Sequence, residues 1–531
     1  MGLHILSRCS VAVVVTLLLI VFWHIRSAPV RNHYGLSTMG DLSPTQKARL
    51  HEVADLMLEI YQTLAKMQYL DPAGIQPGPH DITTIIDVYR DYNLDPSVMY
   101  LYRILPYINT KLAGNSDFFH GGEFADFRNA DDVERGRDPF FASPEEEDFE
   151  DEDGPYMRPW VTPLSNLGNH QSIIIYDARK HRIWIIDQEG WLSTDPALKG
   201  APEGKQTSKN RNSFEHIPSR PAGDVLRDIV RWYRELEELP GGGENSGLEW
   251  NDPDLDLKTL YHKHGWPDNF DGDGFLVDKA RAYSARQAKY NAEEPLRVVK
   301  RLQDWSKYAH EEARTLRLSL ATAENLDKEW QLRFKIWQAE RREARNLQEL
   351  EQARREADAL CPEGQCQELA DLPLWEFEQV QKEYGWKKDA VQNYQNWVNE
   401  SQDSDPELSK DFQNDLHRAQ KEAEIYRRAC IASKADAERL CPGKTLKSAT
   451  GKELLRPETT TESIQSKSKT IKFLQKELED LQQWETQIPG GAVEAKKMVE
   501  EEIQQFKQSL RESEESKSKA EERLAVHGDT M

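Results

Sequence analysis

The sequence lacks the short motifs that mark the commonest catalytic and cofactor sites. Its 531 residues contain no Gly-x-Ser-x-Gly, no His-Glu-x-x-His and no Cys-x-x-Cys pair. These are the patterns of serine hydrolases, zinc proteases and zinc or thiol redox sites. Gly443-Lys444-Thr445 resembles the end of a phosphate-binding loop, but Glu438 stands where that loop needs its first glycine. The sequence therefore predicts no catalytic residue and no cofactor.

Positive charge is also in short supply. The chain has 69 Lys and Arg against 92 Asp and Glu, a net charge of -23. Such a field repels a phosphate backbone, so we expect no nucleic-acid partner. The 14 Trp, 16 Phe and 18 Tyr residues argue against a wholly disordered chain, because disordered chains are poor in aromatic residues.

Only the N-terminus carries a long apolar run. After a short tail, 1–8, residues 9–25 are almost entirely apolar, and Arg8 and Arg26 flank them. Seventeen residues would make a helix of roughly 25 Å, the short end of a bilayer span. Arg26 and Pro29 disfavour cleavage after Ala28, so a retained signal-anchor is favoured over a cleaved signal peptide or a mitochondrial segment. Residues 26–43 would then form a stalk.

The pattern of residues 44–275 predicts an α+β domain with a small antiparallel sheet. Apolar residues at helical spacing predict helices over 44–70, 82–92 and from Asp95-Pro96, and again over 224–239. The β-branched runs 172–176 and 182–187 predict a hairpin, to which 157–164 adds a third strand. Within this domain, 144–154 is predicted to be an acidic, solvated loop.

The C-terminal half consists of charged, helix-forming sequence. Apolar residues at three-four spacing, among them Trp305, Trp330 and Trp337, predict an antiparallel, coiled-coil-like array of long helices over 277–441. The first helix is expected to reach Leu360. A linker, 442–458, and a helical hairpin, 459–525, follow. A single apolar seam on each helix implies pairing with other helices, either within the chain, with a protein partner or with a second copy.

A metal site is only weakly indicated. Asn269, Asp271, Asp273 and Gly274 match the first half of a calcium-binding EF-hand loop, but Ala280 replaces its bidentate glutamate. Asp271 and Asp273 also form the Asp-x-Asp pattern of metal-dependent glycosyltransferases. A polar turn before a helix explains the same residues and is the favoured interpretation.

Two further groups of polar residues are weaker candidates. His262 and His264 could share a metal ion on an extended segment, and His120, Glu123 and Asp126 lie together in a glycine-containing loop. An exposed loop explains the second group equally well.

The cysteines and one sequon favour a luminal or extracellular C-terminal part. Cys361, Cys366, Cys430 and Cys441 form an even set, and Asn399 begins a sequon, Asn399-Glu400-Ser401. Matching the lengths of the helices on either side of residue 405 brings Cys441 level with the 361–366 loop, which predicts a bridge from Cys441 to Cys361 or Cys366. Cys430 is then expected either to be a free thiol in the seam or to be reached by a folded-back Cys366. Four reduced thiols in a cytosolic domain remain the alternative.

The segment PYMRPWVTPLSNLGNHQSIIIYDARKHRIWIIDQEG, followed by RPAGDVLRDIVRWYRELEELP, carries a family resemblance. Over about residues 155–240 the chain is similar to uncharacterised membrane-anchored fungal proteins and, more distantly, to the fungal cell-wall-assembly regulator superfamily. The resemblance implies strands before a closing helix, and protein binding without a transferable catalytic motif.

Three functions follow as expectations. The favoured one is a membrane-tethered interaction or scaffold protein of the secretory pathway or cell surface. The others are a luminal type II membrane enzyme of glycosyltransferase type and an organellar membrane-shaping or tethering protein.

Overall fold

The structure is a computed structural model, and it describes residues 42–139, 156–166, 172–187, 190, 192–202, 204, 212–241, 252, 254–402, 404–444 and 460–527. No helix within these ranges is long and apolar enough to cross a membrane. The predicted tail and span, the stalk up to residue 41, the acidic loop 144–154 and most of the linker, 445–458, lie outside them.

The chain divides into two compact units, 1–244 and 245–531. The sequence places this boundary near residue 275, so one short helix and the start of a longer one belong to the second unit instead. The helices of the first unit are α1 (Pro44–Lys66), α2 (Ile86–Asp91), α3 (Pro96–Ile104), α4 (Thr110–Ala113), α5 (Ala130–Arg137) and α6 (Ala222–Arg234).

Local chemistry fixes where α1 and α3 begin. The Ser43 hydroxyl accepts from the backbone N–H of Gln46 and the Gln46 side chain accepts from the Ser43 N–H, which is a capping box with a proline in the first turn. The Asp95 carboxylate caps α3 by accepting from the backbone N–H of Ser97, without a reciprocal bond. The predicted start of both helices is confirmed.

A four-stranded antiparallel sheet lies in the first unit. Its strands, in spatial order, are β3 (Val161–Pro163), β4 (Ser172–Asp177), β5 (Arg182–Asp187) and β6 (Arg220–Pro221). A separate antiparallel pair joins β1 (Ile75–Gln76) to β2 (Tyr107–Ile108). Ile174 pairs with Ile185 at the centre of the predicted hairpin, which is confirmed.

Both faces of this sheet are covered. One face contributes Ile173, Ile175, Trp184 and Ile186 to an apolar cluster with Met157, Val161, Phe214 and Ile217. Ile174 and Ile185, on the opposite face, are equally buried. The β-branched composition of β4 and β5 suits strands covered on both sides.

The second unit is entirely helical in the part that the structure describes, apart from turns. Its helices are α7 (Leu257–Lys263), α8 (Gly272–Ala292), α9 (Glu294–Leu320), α10 (Leu326–Leu360), α11 (Leu372–Ser401), α12 (Pro406–Leu440), α13 (Thr460–Glu485) and α14 (Val493–His527). Two short 3-10 segments, Pro362–Gly364 and Gln367–Asp371, connect α10 to α11.

The prediction of one continuous helix ending at Leu360 is wrong, because that stretch forms α8, α9 and α10. Pro295 lies in the first turn of α9, where its missing N–H costs nothing, and so it starts a new helix. Asn325 accepts from the backbone N–H of Lys328 and caps α10 after a short turn.

Three helical hairpins make up most of this unit. Arg317 contacts Glu340 and Arg342 contacts Glu312, so α9 and α10 are antiparallel. α11 and α12 are antiparallel as well, and α8 packs on both of them. α13 and α14 form the third hairpin, as the sequence predicts.

An aromatic cluster joins the third hairpin to α10. We define it as Trp330, Phe334, Trp337 and Trp484. The Trp484 ring lies 4.9 Å from that of Phe334, 5.6 Å from that of Trp330 and 6.0 Å from that of Trp337. Trp330 and Trp337 therefore lie in an apolar seam, as their spacing predicts.

Candidate interaction surfaces

Two tryptophans of α11 are exposed on one face of the helix. Trp386 is 53% exposed and Trp397 is 44% exposed. They are eleven residues apart, which is about three helical turns and about 16 Å, so they point in nearly the same direction. Large exposed apolar side chains that recur on one face are typical of binding surfaces.

Neighbouring side chains hold both indole rings in place. Trp397 meets the ring of Tyr394 edge-on at 5.2 Å and the ring of Phe412, on α12, at 5.6 Å. The ammonium group of Lys382 lies 4.7 Å from the centre of the Trp386 ring. We call Lys382, Trp386, Tyr394, Trp397 and Phe412 the α11 surface.

A second, smaller aromatic patch lies on α9. Trp305 is 54% exposed and Tyr308 is 70% exposed, and the Arg301 guanidinium lies 5.5 Å from the Trp305 ring centre. The sequence places Trp305 in the seam, which is wrong. Small residues fill that seam instead, namely Ser306, Ala309 and Ala313, together with Leu302.

Many charged side chains of the second unit form salt bridges between helices. The Arg281 guanidinium contacts Glu376 on α11 and Asp436 on α12, both at 2.7 Å. Arg341 on α10 contacts Glu477 at 2.9 Å and Asp480 at 2.6 Å, both on α13. These partners raise the pKa of Arg281 and Arg341 against the opposing effect of burial. Salt bridges of this kind fix the positions of the helices relative to each other.

In the first unit, a polar network around Glu52 links three elements. Glu52 of α1 accepts from Arg227 of α6 at 2.8 Å and contacts Nε2 of His181 at 3.0 Å. The other ring nitrogen of His181 contacts the hydroxyl of Tyr176 at 3.0 Å. The hydrogen bond from Arg227 is the main cause that lowers the pKa of Glu52, and burial raises the pKa of Tyr176. The network ties α1 and α6 to the hairpin turn.

The residues predicted as a weak metal site lie at the N-terminus of α8. Asp271 is its N-cap and accepts from the backbone N–H of Gly274. The Asp273 carboxylate is exposed and lies 3.6 Å from Arg428, and the backbone N–H of Asn269 donates to the carbonyl of Gly265. Among the described residues no group of three or more His, Cys, Asp or Glu is arranged to hold a metal ion.

The remaining histidine and carboxylate candidates are dispersed. Nε2 of His264 contacts Asp278 at 3.0 Å, a pair that His262 does not join. His120 lies 3.3 Å from Glu238, and Asp126 forms an ion pair with Arg128. Glu123 exchanges backbone hydrogen bonds with Asn166. The three residues that the sequence groups in one loop therefore have three different partners.

The cysteines pair differently from the prediction. Cys361 and Cys366 form a disulfide with each other, while Cys430 and Cys441 are free thiols. The predicted bridge to Cys441 is therefore wrong, although length matching places the helix ends correctly, since Lys444 reaches Asp371 at 2.5 Å. Burial raises the pKa of the Cys430 thiol, which makes it a poor nucleophile at neutral pH.

Asn399 lies in the last turn of α11, where it is exposed. The hydroxyl of Ser401, the third sequon residue, is buried and donates to the carbonyl of Trp397 at 2.7 Å. Glycosylation at Asn399 remains a prediction.

Comparison of the chain with models of protein families, with curated proteins and with solved structures gives no match.

Proposed function

We propose that this protein is a membrane-tethered interaction or scaffold protein, and that the α11 surface is its main binding site for a partner protein. The observation that carries the proposal is the exposure of two aligned tryptophans on a long helix. The tether rests on the apolar run 9–25 of the sequence.

Tryptophan is among the residues that contribute most to binding energy in protein interfaces. An exposed indole costs little conformational entropy to bury, and its large apolar area is removed from water when a partner docks. Two such anchors about 16 Å apart would fall within one standard interface.

The geometry of the α11 surface supports this role. Trp397 is packed against Tyr394 and Phe412, so its ring is already fixed before a partner arrives. A fixed ring loses less freedom on binding, which leaves more of the contact energy for affinity. Lys382, beside Trp386, adds a positive group that favours a partner with an acidic rim.

Proximity labelling of the full chain in its native cell tests the binding role. We expect that a discrete group of the labelled neighbours is lost in the double variant Trp386→Ser/Trp397→Ser. The matched control is Leu440→Ser, which removes a side chain that is 53% exposed on α12 outside the α11 surface. An unchanged set of neighbours in the double variant would contradict the proposed role of the α11 surface.

Alkaline carbonate extraction tests the tether separately. We expect the full chain to remain with the membrane fraction and its N-terminus to include residues 9–25. Release of the protein, with a new N-terminus near residue 29, would refute the tether and leave the binding role untouched.

A further inference from the structure

A groove on the first unit has the features of a second binding site. It lies between α1 and α3 and is closed at one end by the loop 77–79, with a volume of about 270 Å³. Its apolar wall is formed by Ala54, Leu58, Ile104 and three prolines, Pro77, Pro79 and Pro106. Its polar rim is formed by His51, Asp55, Tyr100 and Arg103.

Close packing makes the walls of this groove rigid. A Cβ atom at position 78 would overlap the carbonyl oxygen of Ile104, so only glycine lets the loop approach α3 this closely. The backbone N–H of His80 donates to the carbonyl of Arg103 at 2.7 Å, and the His80 ring contacts the carbonyl of Leu105 at 2.8 Å. Across the groove, His51 contacts the Tyr100 hydroxyl at 3.0 Å. The site is therefore preformed.

Two opposite charges on the rim are available to a ligand. Neither Asp55 nor Arg103 forms an ion pair with another side chain in the described part of the chain. Arg103 also helps to lower the pKa of Asp81, although the main cause of that shift is a hydrogen bond from the Thr83 N–H. Elsewhere in this unit most arginines are paired, as Arg220 is with Asp195 and Asp228.

The size and shape of the groove indicate the class of ligand. Sites for small metabolites enclose most of their ligand and typically exceed about 300 Å³. This groove is close to the lower end of that range and is open to solvent, which suits one or two side chains of a longer chain that enters and leaves. The rings of Tyr100 and of the three prolines can pack against the pyrrolidine ring of a proline in the ligand. An extended segment that contains proline also loses little conformational entropy on binding.

We propose that this groove binds an extended segment of a partner protein that presents a proline, with a basic residue beside it. The proline packs between Tyr100 and the apolar wall, a backbone carbonyl accepts from Arg103, and the basic residue faces Asp55. The chain's net charge of -23 also favours a positively charged partner segment. This site is independent of the proposed α11 surface.

A peptide selection with the full chain in detergent micelles tests the proposal. The probe is a displayed library of random twelve-residue peptides with one fixed central proline. We expect enrichment of Lys or Arg next to the proline, and affinity at least about tenfold weaker for Tyr100→Ala. Asp55→Lys should replace the basic preference by an acidic one. Asp131→Asn, an exposed carboxylate of α5 outside the groove, is the control and should select the same peptides as the wild type.

Two outcomes would overturn the proposal. One is a selection without basic enrichment. The other is enrichment that survives both Tyr100→Ala and Asp55→Lys. If Tyr100→Ala does not fold, judged by circular dichroism, the charge reversal at Asp55 decides alone. The variant Trp386→Ser/Trp397→Ser should leave the selected peptides unchanged, so failure of the α11 surface and failure of the groove are distinguishable.

Discussion

Removing the indole ring of Trp484 should detach the C-terminal hairpin from α10. This ring contacts three others, those of Trp330, Phe334 and Trp337, and Trp484 is only 8% exposed. Replacing a buried Trp or Phe by Ala typically costs about 3–5 kcal/mol, and aromatic pairs add about 0.5–1.5 kcal/mol each to simple burial. We therefore expect Trp484→Ala to destabilise the packing of α13 and α14 on α10 by about 4 kcal/mol.

Hydrogen exchange with mass spectrometry on the full chain measures this effect locally. A two-helix hairpin without a third helix is only marginally stable, so loss of the docking contact should open α13 and α14. A loss of about 4 kcal/mol corresponds to roughly a thousandfold faster amide exchange in these two helices. Phe473→Ala is the control on the same helix, since Phe473 is 42% exposed. It should change exchange by less than about tenfold. Unchanged protection of α13 in Trp484→Ala would refute the docking role of the aromatic cluster.

Three further predictions concern single interactions. Glu52→Gln should lower the stability of the first unit at neutral pH, because the hydrogen bond from Arg227 lowers the pKa of Glu52 below its ordinary 4.5. The difference from wild type should shrink as the pH falls below 4.5 and the carboxylate takes up a proton, and a difference that persists undiminished in acid would contradict the pairing with Arg227. Asp327→Ala should speed exchange in the first turn of α14 by an amount equivalent to about 1 kcal/mol, while Asp327→Asn, which keeps an acceptor for the two N–H groups that Asp327 caps, should not. Non-reducing peptide mapping should recover Cys361 linked to Cys366; a peptide joining either of them to another cysteine would show the pairing to be otherwise.

Elements whose signals are local could be predicted from the sequence. The hairpin of β4 and β5 follows from β-branched runs separated by a short polar turn, and α11 and α12 follow from three-four spacing between clear breakers. Asp405 and Pro406 illustrate the reason, because a cap and a first-turn proline adjoin and mark one helix start. Such features act within a few residues, so the sequence contains them directly.

Features that depend on distant neighbours could not be predicted. Leu302 and Trp305 both fit the three-four apolar pattern of α9. Only the packing of α9 against α10 decides that Leu302 is buried and Trp305 is exposed. The disulfide partner of Cys361 likewise depends on how the connection from α10 to α11 folds. The groove between α1 and α3 combines segments that are far apart in sequence, and neither segment alone has a pattern that marks a site.

Photo-crosslinking from position 386 in the native cell tests whether the α11 surface contacts a partner protein. A photoreactive phenylalanine analogue at Trp386 places the reactive group on the α11 surface of the full, membrane-bound chain. We expect one or a few discrete crosslinked species that are absent when the same group replaces Leu318, which is 68% exposed on α9. A crosslinking pattern at position 386 that is empty, or no different from that at position 318, would contradict that expectation.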